Sequence, residues 1–159
     1  MPSVDVDLVI RSPLDDVWIA INDIEAYPHF MENVLSVELI DSSEAHLRVS
    51  AWSVLLKGSV LQWSEREEVD AANHRITFHQ LDGDLDLFSG EWVLQQVDDE
   101  LVRARLTVEF EIGIPLLAEM LNPVASRALR DNSEQMLRAI EARVAIAAAA
   151  DPVQQREGA

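Results

Sequence analysis

The sequence predicts an α+β domain in which an antiparallel sheet is followed by one long helix. From Asn33 to Ile112, apolar and polar residues alternate in runs separated by short polar turns, a pattern typical of hairpin-connected strands. From about Pro115 to Ala150, apolar residues recur at spacings of three and four, which predicts a helix with one buried face. A chain of 159 residues is long enough to form one domain with a substantial core.

The N-terminal part is predicted to contain one strand and two short helices. Val4 to Arg11 alternates as a half-buried strand does. Ser12 has the side chain of a helix N-cap, and Pro13 suits the first helical position, so the first helix is expected to begin there. Ile24 to Phe30 is expected to form a second short helix or turn.

The middle of the chain is predicted to form six strands joined by polar turns. The predicted ranges are Val34–Ile40, Ala45–Leu56, Ser59–Val69, His74–Leu81, Leu85–Val97 and Leu101–Ile112. The last range alternates most clearly, with apolar residues on one face and charged residues on the other. One face of the sheet is therefore expected to be exposed to solvent.

The C-terminal helix carries two interruptions that bear on function. Pro123 is expected to break or restart the helix because proline lacks the backbone N–H of a helix interior. Asn132 and Ser133 interrupt the apolar stripe, which indicates a bend, a surface edge or a wet cavity. We assign residues 1–147 to the domain and expect residues 148–159 to be a disordered tail.

Composition excludes several classes of function. The formal net charge of −17 argues against nucleic-acid binding and against anionic membrane surfaces. No apolar run is long enough to cross a bilayer, and the first residues do not resemble a signal peptide, so a cytoplasmic protein is expected. The chain has no cysteine, no metal-ligand spacing and no glycine-rich phosphate loop, so we expect neither a metal site nor a cofactor.

Several segments together resemble the polyketide cyclase/dehydrase family of the START-like superfamily, which is related to the coenzyme-Q-binding proteins. The segments are Ser12–Pro13 with Val17–Trp18, Asn22–Phe30, Trp63–Arg66, Asp82–Leu85, Gly90–Trp92 and Asn132–Met136. The resemblance covers about Val4 to Val144. It implies a helix-grip fold, in which a curved antiparallel sheet of about seven strands wraps a long C-terminal helix, with two short N-terminal helices and an internal cavity.

The resemblance makes Arg66 the candidate catalytic residue, as an inward-pointing arginine that anchors or polarises a polyketide carbonyl. A guanidinium can donate two hydrogen bonds to a carbonyl and stabilise an enolate. Strand alternation argues the other way, because the face that carries Trp63 is more apolar than the face that carries Arg66. The family's pocket tyrosine falls near Asn33 and its second arginine near Gln80, so the detailed mechanism of the family does not carry over.

Ten residues are predicted to bind substrate, for three different reasons. Tyr27 and Phe30 would form the cavity entrance in the family geometry, and aromatic side chains there and in the sheet suit a flat or polyenic ligand. Polar side chains on the strands and the helix would contact the ligand. The full prediction is Tyr27, Phe30, Asn33, Gln62, Ser64, Gln80, Phe88, Trp92, Asn132 and Met136. His79 and Glu91 are weaker candidates for proton transfer, because both lie on faces that suit solvent.

The preferred hypothesis is an aromatase/cyclase-like enzyme that promotes regiospecific aldol cyclisation and dehydration of a polyketide chain, without a cofactor. The resemblance allows delivery of that chain by an acyl carrier protein. One alternative is a non-catalytic carrier for a hydrophobic ligand such as a quinone, a lipid or a polyketide intermediate. Another is a sensor domain that docks a basic partner through its acidic surface. The sequence leaves the substrate, the ring regiochemistry and the oligomeric state open.

Overall fold

A computed structural model describes residues 2–113 and 115–150, which form seven strands and three α-helices. The order along the chain is β1 (Ser3–Arg11), α1 (Leu14–Asn22), a 3₁₀ turn (Ile24–Ala26), α2 (Tyr27–Phe30), β2 (Val34–Glu44), β3 (Leu47–Leu56), β4 (Ser59–Asp70), β5 (Arg75–Gly83), β6 (Leu87–Asp98), β7 (Leu101–Glu111) and α3 (Pro115–Ala150). The predicted α+β arrangement is confirmed. The start of α1 differs slightly from the prediction, because Pro13 precedes the helix and the Ser12 hydroxyl donates to the Pro13 carbonyl instead of capping it.

The seven strands form one antiparallel sheet in the order β1-β7-β6-β5-β4-β3-β2. Strands β2 to β7 are a meander of consecutive hairpins, and β1 joins the far edge by pairing with β7. Because every neighbour is antiparallel, the two-residue period of each strand puts one set of side chains on an inner face and the other set outside. This register decides which residues can reach the interior.

The outer face of the sheet is solvated, as predicted. On β7, Arg103 and Arg105 point outward and form ion pairs with Asp7 and Asp5 of β1. Hydrogen bonds from Arg105 lower the pKa of the Asp5 carboxyl. The inner residues of the same strand, from Val102 to Phe110, are buried.

Helix α3 is continuous, so the prediction that Pro123 breaks it is wrong. A proline removes one hydrogen bond from a helix interior, and here the buried side chains of Leu129, Leu137 and Ile140 hold the helix against the rest of the core. The helix also includes residues 148–150, which the sequence assigns to the disordered tail. The remainder of that predicted tail, residues 151–159, lies outside the described residues.

The packing of α3 leaves space beside the middle of the sheet. The helix makes most of its contacts with β1, α1 and β7. Side chains from β4, β5 and β6 instead face α3 across a cavity that both sides line. Gly90 on β6 helps to shape this cavity, because an added Cβ would lie 2.8 Å from Cζ of Phe78 and 2.0 Å from the Thr107 carbonyl oxygen. The missing side chain therefore gives the Phe78 ring its place in the cavity wall.

Candidate active site

The cavity between α3 and the inner face of the sheet is small and mostly apolar. Its volume is about 50 Å³, which has room for only a few water molecules. A larger ligand can enter only if the lining side chains move apart. The polar groups in the lining are Glu65 and Glu67 on β4 and Asn132 and Ser133 on α3.

Aromatic rings form the sheet side of the cavity. Trp52 and Trp63 are stacked almost in parallel, with ring centroids 5.7 Å apart and an angle of 6° between their planes. The ring centroid of Phe88 lies 4.8 Å from that of Trp63 and 5.8 Å from that of Phe78. Stacked and tilted rings at these distances offer flat faces to a conjugated ligand.

Glu67 is buried but fully engaged. Its side chain is 3% exposed and lies 3.0 Å from Nη2 of Arg48, whose side chain is 14% exposed. The Ser50 hydroxyl donates to the other carboxylate oxygen at 2.7 Å, and Nη1 of Arg48 also donates to the Asn22 carbonyl at 3.0 Å. Trp52 completes the network by donating its indole N–H to the Ser50 oxygen. The carboxylate of Glu67 therefore has a counter-charge and a second donor inside the protein, as a buried charge requires.

Glu65 lies two residues away on the same face and has no such cation in contact. It is 3% exposed, and the Trp63 indole N–H donates to Oε1 at 2.7 Å. Burial, and after it the negative charge of Glu67, raise the pKa of the Glu65 carboxyl well above its ordinary value. The two residues therefore differ: Glu67 is a carboxylate paired with Arg48, whereas Glu65 is a carboxyl group whose raised pKa favours its protonated form.

The raised pKa of Glu65 predicts how stability changes with pH. Between the ordinary pKa of 4.5 and the raised folded value, the native state holds a proton that the unfolded chain releases. The contribution of Glu65 to stability is therefore complete below pH 4.5 and is lost as the pH rises. We expect the free energy of unfolding, measured with urea from about pH 5 to about pH 9, to fall less steeply in Glu65→Gln than in the wild type.

The matched control for that measurement is Glu68→Gln, which removes a carboxyl from an exposed position on the same strand. This variant should follow the wild-type pH dependence. Parallel curves for Glu65→Gln and the wild type would show that Glu65 binds no extra proton in the folded state.

Asn132 and Ser133 give the helix side of the cavity its polar character. They are 8% and 2% exposed and line the cavity, so the interruption in the apolar stripe is not a surface edge. The Asn132 amide nitrogen lies 3.5 Å from the sulfur of Met136, and its Oδ1 is buried without a hydrogen-bond partner. An unpartnered buried amide oxygen is uncommon and marks a place where a ligand or water is needed.

Four of the predicted substrate-binding residues meet in this cavity: Phe88, Trp92, Asn132 and Met136. They come from β6 and α3, which face each other across the space. Their contact with a substrate stays a prediction.

The expectation that Arg66 points into the cavity is wrong. Arg66 is exposed on the outer face of β4, where it lies opposite His79 of β5 and lines a shallow surface groove. The reason is the two-residue period of the strand, because Trp63, Glu65 and Glu67 occupy the inner positions. Gln62 and Ser64 share the outer face with Arg66 and line an open surface groove, so their expected place in the cavity is also wrong.

The remaining predicted residues lie near the cavity without lining it. Tyr27 is fully buried, donates its hydroxyl to the Ile21 carbonyl and packs edge-on against Trp52, so it is a core residue and not part of an entrance. Gln80 donates to the Leu85 carbonyl at 2.7 Å and braces the connection between β5 and β6. Phe30 and Asn33 line a groove between α2 and α3 on the outside of the domain.

This outer groove adjoins the cavity. Asn33 donates a hydrogen bond to Gln135 of α3 across it, and the guanidinium of Arg143 lies 4.8 Å from the centroid of the Phe30 ring. Met136 lines both the groove and the inner cavity. The groove and the cavity therefore share Met136 as a lining residue.

Sequence reasoning missed Glu65 and Glu67 as site residues. The signal was present, because alternation placed both on the same face as Trp63. Glutamates are usually solvated, and nothing within β4 itself reveals that Arg48 and Ser50 on β3 supply the buried partners.

In the part of the chain that the structure describes, no group of three or more potential metal ligands is present. Nor does a described helix have the length and hydropathy needed to cross a membrane.

Comparison with known proteins agrees with this architecture. The structure of TTHA0849 from Thermus thermophilus is 29% identical, with a TM-score of 0.85 over 92% of this chain and 99% of that one. The Zhui aromatase/cyclase from Streptomyces sp. R1128 is 21% identical, with a TM-score of 0.82 over 90% of this chain and 93% of that one. A START superfamily protein from Mycobacterium smegmatis is 15% identical, with a TM-score of 0.74 over 89% and 96% of the two chains. These likenesses confirm the helix-grip fold.

The sequence itself matches a known family profile over most of its length. Residues 10–137 match the family described as polyketide cyclase / dehydrase and lipid transport. That description supports a cyclase-like or ligand-binding role for the cavity. The chain belongs to the polyketide cyclase / dehydrase and lipid transport family.

Proposed function

We propose that this protein is a polyketide aromatase/cyclase-like enzyme, which binds a poly-β-ketone chain in the cavity and promotes aldol cyclisation and dehydration. The observation that carries the proposal is Glu65, a carboxyl group buried beside Trp63 in the aromatic cavity, where burial raises its pKa. A carrier needs no proton donor at that position, whereas both proposed steps need one. An acyl carrier protein is the expected source of the chain.

The proposed aldol step uses Glu65 first as an acid and then as a base. The enol form of one ketone attacks a second carbonyl carbon, so that a carbon–carbon bond forms and the carbonyl π bond opens. The oxygen of the attacked carbonyl takes the Glu65 proton. The enol loses its O–H proton as its ketone re-forms, and this proton returns to the Glu65 carboxylate.

Dehydration follows the same pattern. The bond from carbon to the new hydroxyl breaks while Glu65 gives its proton to the departing oxygen, which leaves as water. The proton on the neighbouring carbon then passes to the Glu65 carboxylate as the double bond forms. Glu65 ends both steps protonated, so the cycle needs no further reactant. The aromatic walls contribute by holding the folded chain near attack geometry.

Glu67 does not transfer protons in this proposal, because its two carboxylate oxygens accept hydrogen bonds from Arg48 and Ser50. Its negative charge raises the pKa of the Glu65 carboxyl, after the larger effect of burial. The division of labour between two carboxyl groups in unlike surroundings is a recurring arrangement in acid–base catalysis.

The proposal is tested by adding the purified protein to a minimal polyketide synthase and profiling the products by chromatography and mass spectrometry. We expect a shift from spontaneous mixtures to one dominant cyclised product. Arg66→Ala should give the same shift, since Arg66 lies on the outer face of β4. A product distribution that the protein does not change at any of several chain lengths would refute the enzyme proposal.

The second candidate is a carrier, and the mostly apolar lining of the cavity is the observation that favours it. A carrier retains its ligand, whereas an enzyme releases product. Mass spectrometry under native conditions separates the two, because one stoichiometric lipid or quinone that co-purifies with the protein would support transport.

A further inference from the structure

We infer that the cavity selects uncharged ring compounds that carry a hydroxyl group and rejects compounds that carry a carboxylate, with Asn132 and Glu65 as the two polar contacts. This inference deepens the proposed function and rests on it only in taking the cavity as the ligand site. The expected ligands are neutral phenols and enolised ketones, and fatty acids are expected not to bind because they carry a carboxylate.

The first argument is the charge balance of the cavity. Two carboxyl groups line it, and none of the described lining residues is a lysine, an arginine or a histidine. Arg48, which does not line the cavity, is paired with Glu67 and donates to the Asn22 carbonyl, and its Nε atom is buried without a hydrogen-bond partner. A ligand carboxylate would therefore enter a site of low dielectric constant without a counter-charge and beside existing negative charge, which is strongly unfavourable.

The second argument is the unsatisfied amide of Asn132. This residue is more than nine-tenths buried, lines the cavity and has an Oδ1 atom without a partner. A hydroxyl group fits this place because it can donate a hydrogen bond to the amide oxygen. The hydroxyl of Ser133, which also lines the cavity, offers a second polar group next to it.

The third argument comes from the opposite wall. Glu65, in its protonated form, can donate a hydrogen bond to a carbonyl or phenolic oxygen of the ligand. The rings of Trp63 and Phe88 lie beside it and favour a flat skeleton. The lining therefore holds one possible donor on β4 and one unpartnered acceptor on α3.

Four naphthalene derivatives test this selectivity by isothermal titration calorimetry with the 159-residue chain. The first pair is 2-naphthol and 2-methoxynaphthalene, which differ in the ability to donate a hydrogen bond. The second pair is methyl 2-naphthoate and 2-naphthoate, which differ in charge. We expect 2-naphthol to bind about tenfold more tightly than its methyl ether, as one hydrogen bond to a buried acceptor provides. We expect 2-naphthoate to bind at least about 100-fold more weakly than its ester.

Variants of α3 assign the hydroxyl preference to its residue. Asn132→Leu should bind 2-naphthol and its methyl ether equally, whereas Glu134→Leu, at an exposed position of the same helix, should keep the roughly tenfold preference. Equal binding of the ester and the carboxylate by the wild type would overturn the charge argument. An unchanged preference for 2-naphthol in Asn132→Leu would overturn the role of Asn132.

These binding measurements involve no turnover, so their outcome does not depend on whether the cyclase proposal is correct. A protein that shows the predicted selectivity but leaves polyketide products unchanged is a carrier for neutral phenolic compounds. A protein that changes the products but binds 2-naphthoate as well as its ester is a cyclase with a different basis for ligand choice.

Discussion

Replacing Glu65 with glutamine is expected to lower the rate at which cyclised product forms by about 100-fold or more. Glutamine has nearly the volume of the protonated acid, and its carbonyl oxygen can still accept the Trp63 N–H bond that Glu65 accepts at 2.7 Å. It cannot release a proton to the attacked carbonyl or to the departing hydroxyl. The measurement is the initial rate of cyclised product with a minimal polyketide synthase held constant.

Two neighbours on β4 provide controls for this experiment. Glu68→Gln makes the same chemical change at an exposed position, and Arg66→Ala removes the side chain that the family resemblance favoured. Both should retain rates close to that of the wild type. If Glu65→Gln also retains its rate within about twofold, proton transfer by this carboxyl contributes little to the barrier and the mechanism proposed here is wrong.

Replacing Arg48 with methionine is expected to reduce the free energy of unfolding by roughly 3–5 kcal/mol. The change leaves the Glu67 carboxylate buried with the Ser50 hydroxyl as its remaining partner among the bonds described above. It also removes the donor to the Asn22 carbonyl, which ties β3 to the end of α1. Urea unfolding near neutral pH, followed by circular dichroism, measures the loss.

A second substitution distinguishes an uncompensated charge from a simple packing defect. The double variant Arg48→Met with Glu67→Met contains no buried carboxylate without a cation. It should recover most of the free energy of unfolding that Arg48→Met loses. Arg105→Met, which breaks the exposed pair with Asp5 on the outer face, should have a much smaller effect than Arg48→Met. A double variant no more stable than Arg48→Met would mean that packing, and not charge, accounts for the loss.

The fold was predictable because local patterns determine it. The two-residue period of the strands and the three-to-four-residue period of α3 follow from backbone geometry, and each appears within a short stretch of sequence. Alternation also placed Arg66 on the outside correctly, and the resemblance alone favoured the inward position. The break predicted at Pro123 does not occur, because the loss of one backbone hydrogen bond is outweighed by the burial of side chains farther along the helix.

The site was less predictable because its chemistry arises between strands. Whether Glu65 and Glu67 are solvated or buried depends on Arg48 and Ser50, which come from the neighbouring strand and meet them only through the register of β3 with β4. The same holds for Tyr27, whose hydroxyl is satisfied by the Ile21 carbonyl. Pairing across strands and between elements sets the environment of these groups, and a single sequence does not display it.

The placement of the tryptophans gives the molecule an optical property. Of the four tryptophans in the chain, Trp52, Trp63 and Trp92 line the cavity, and Trp18 packs against the ring of His74 elsewhere. Three of the four indoles therefore lie in the cavity wall. A compound that enters changes the surroundings of three indoles at once, so the emission of the unlabelled protein reports directly whether its cavity is occupied.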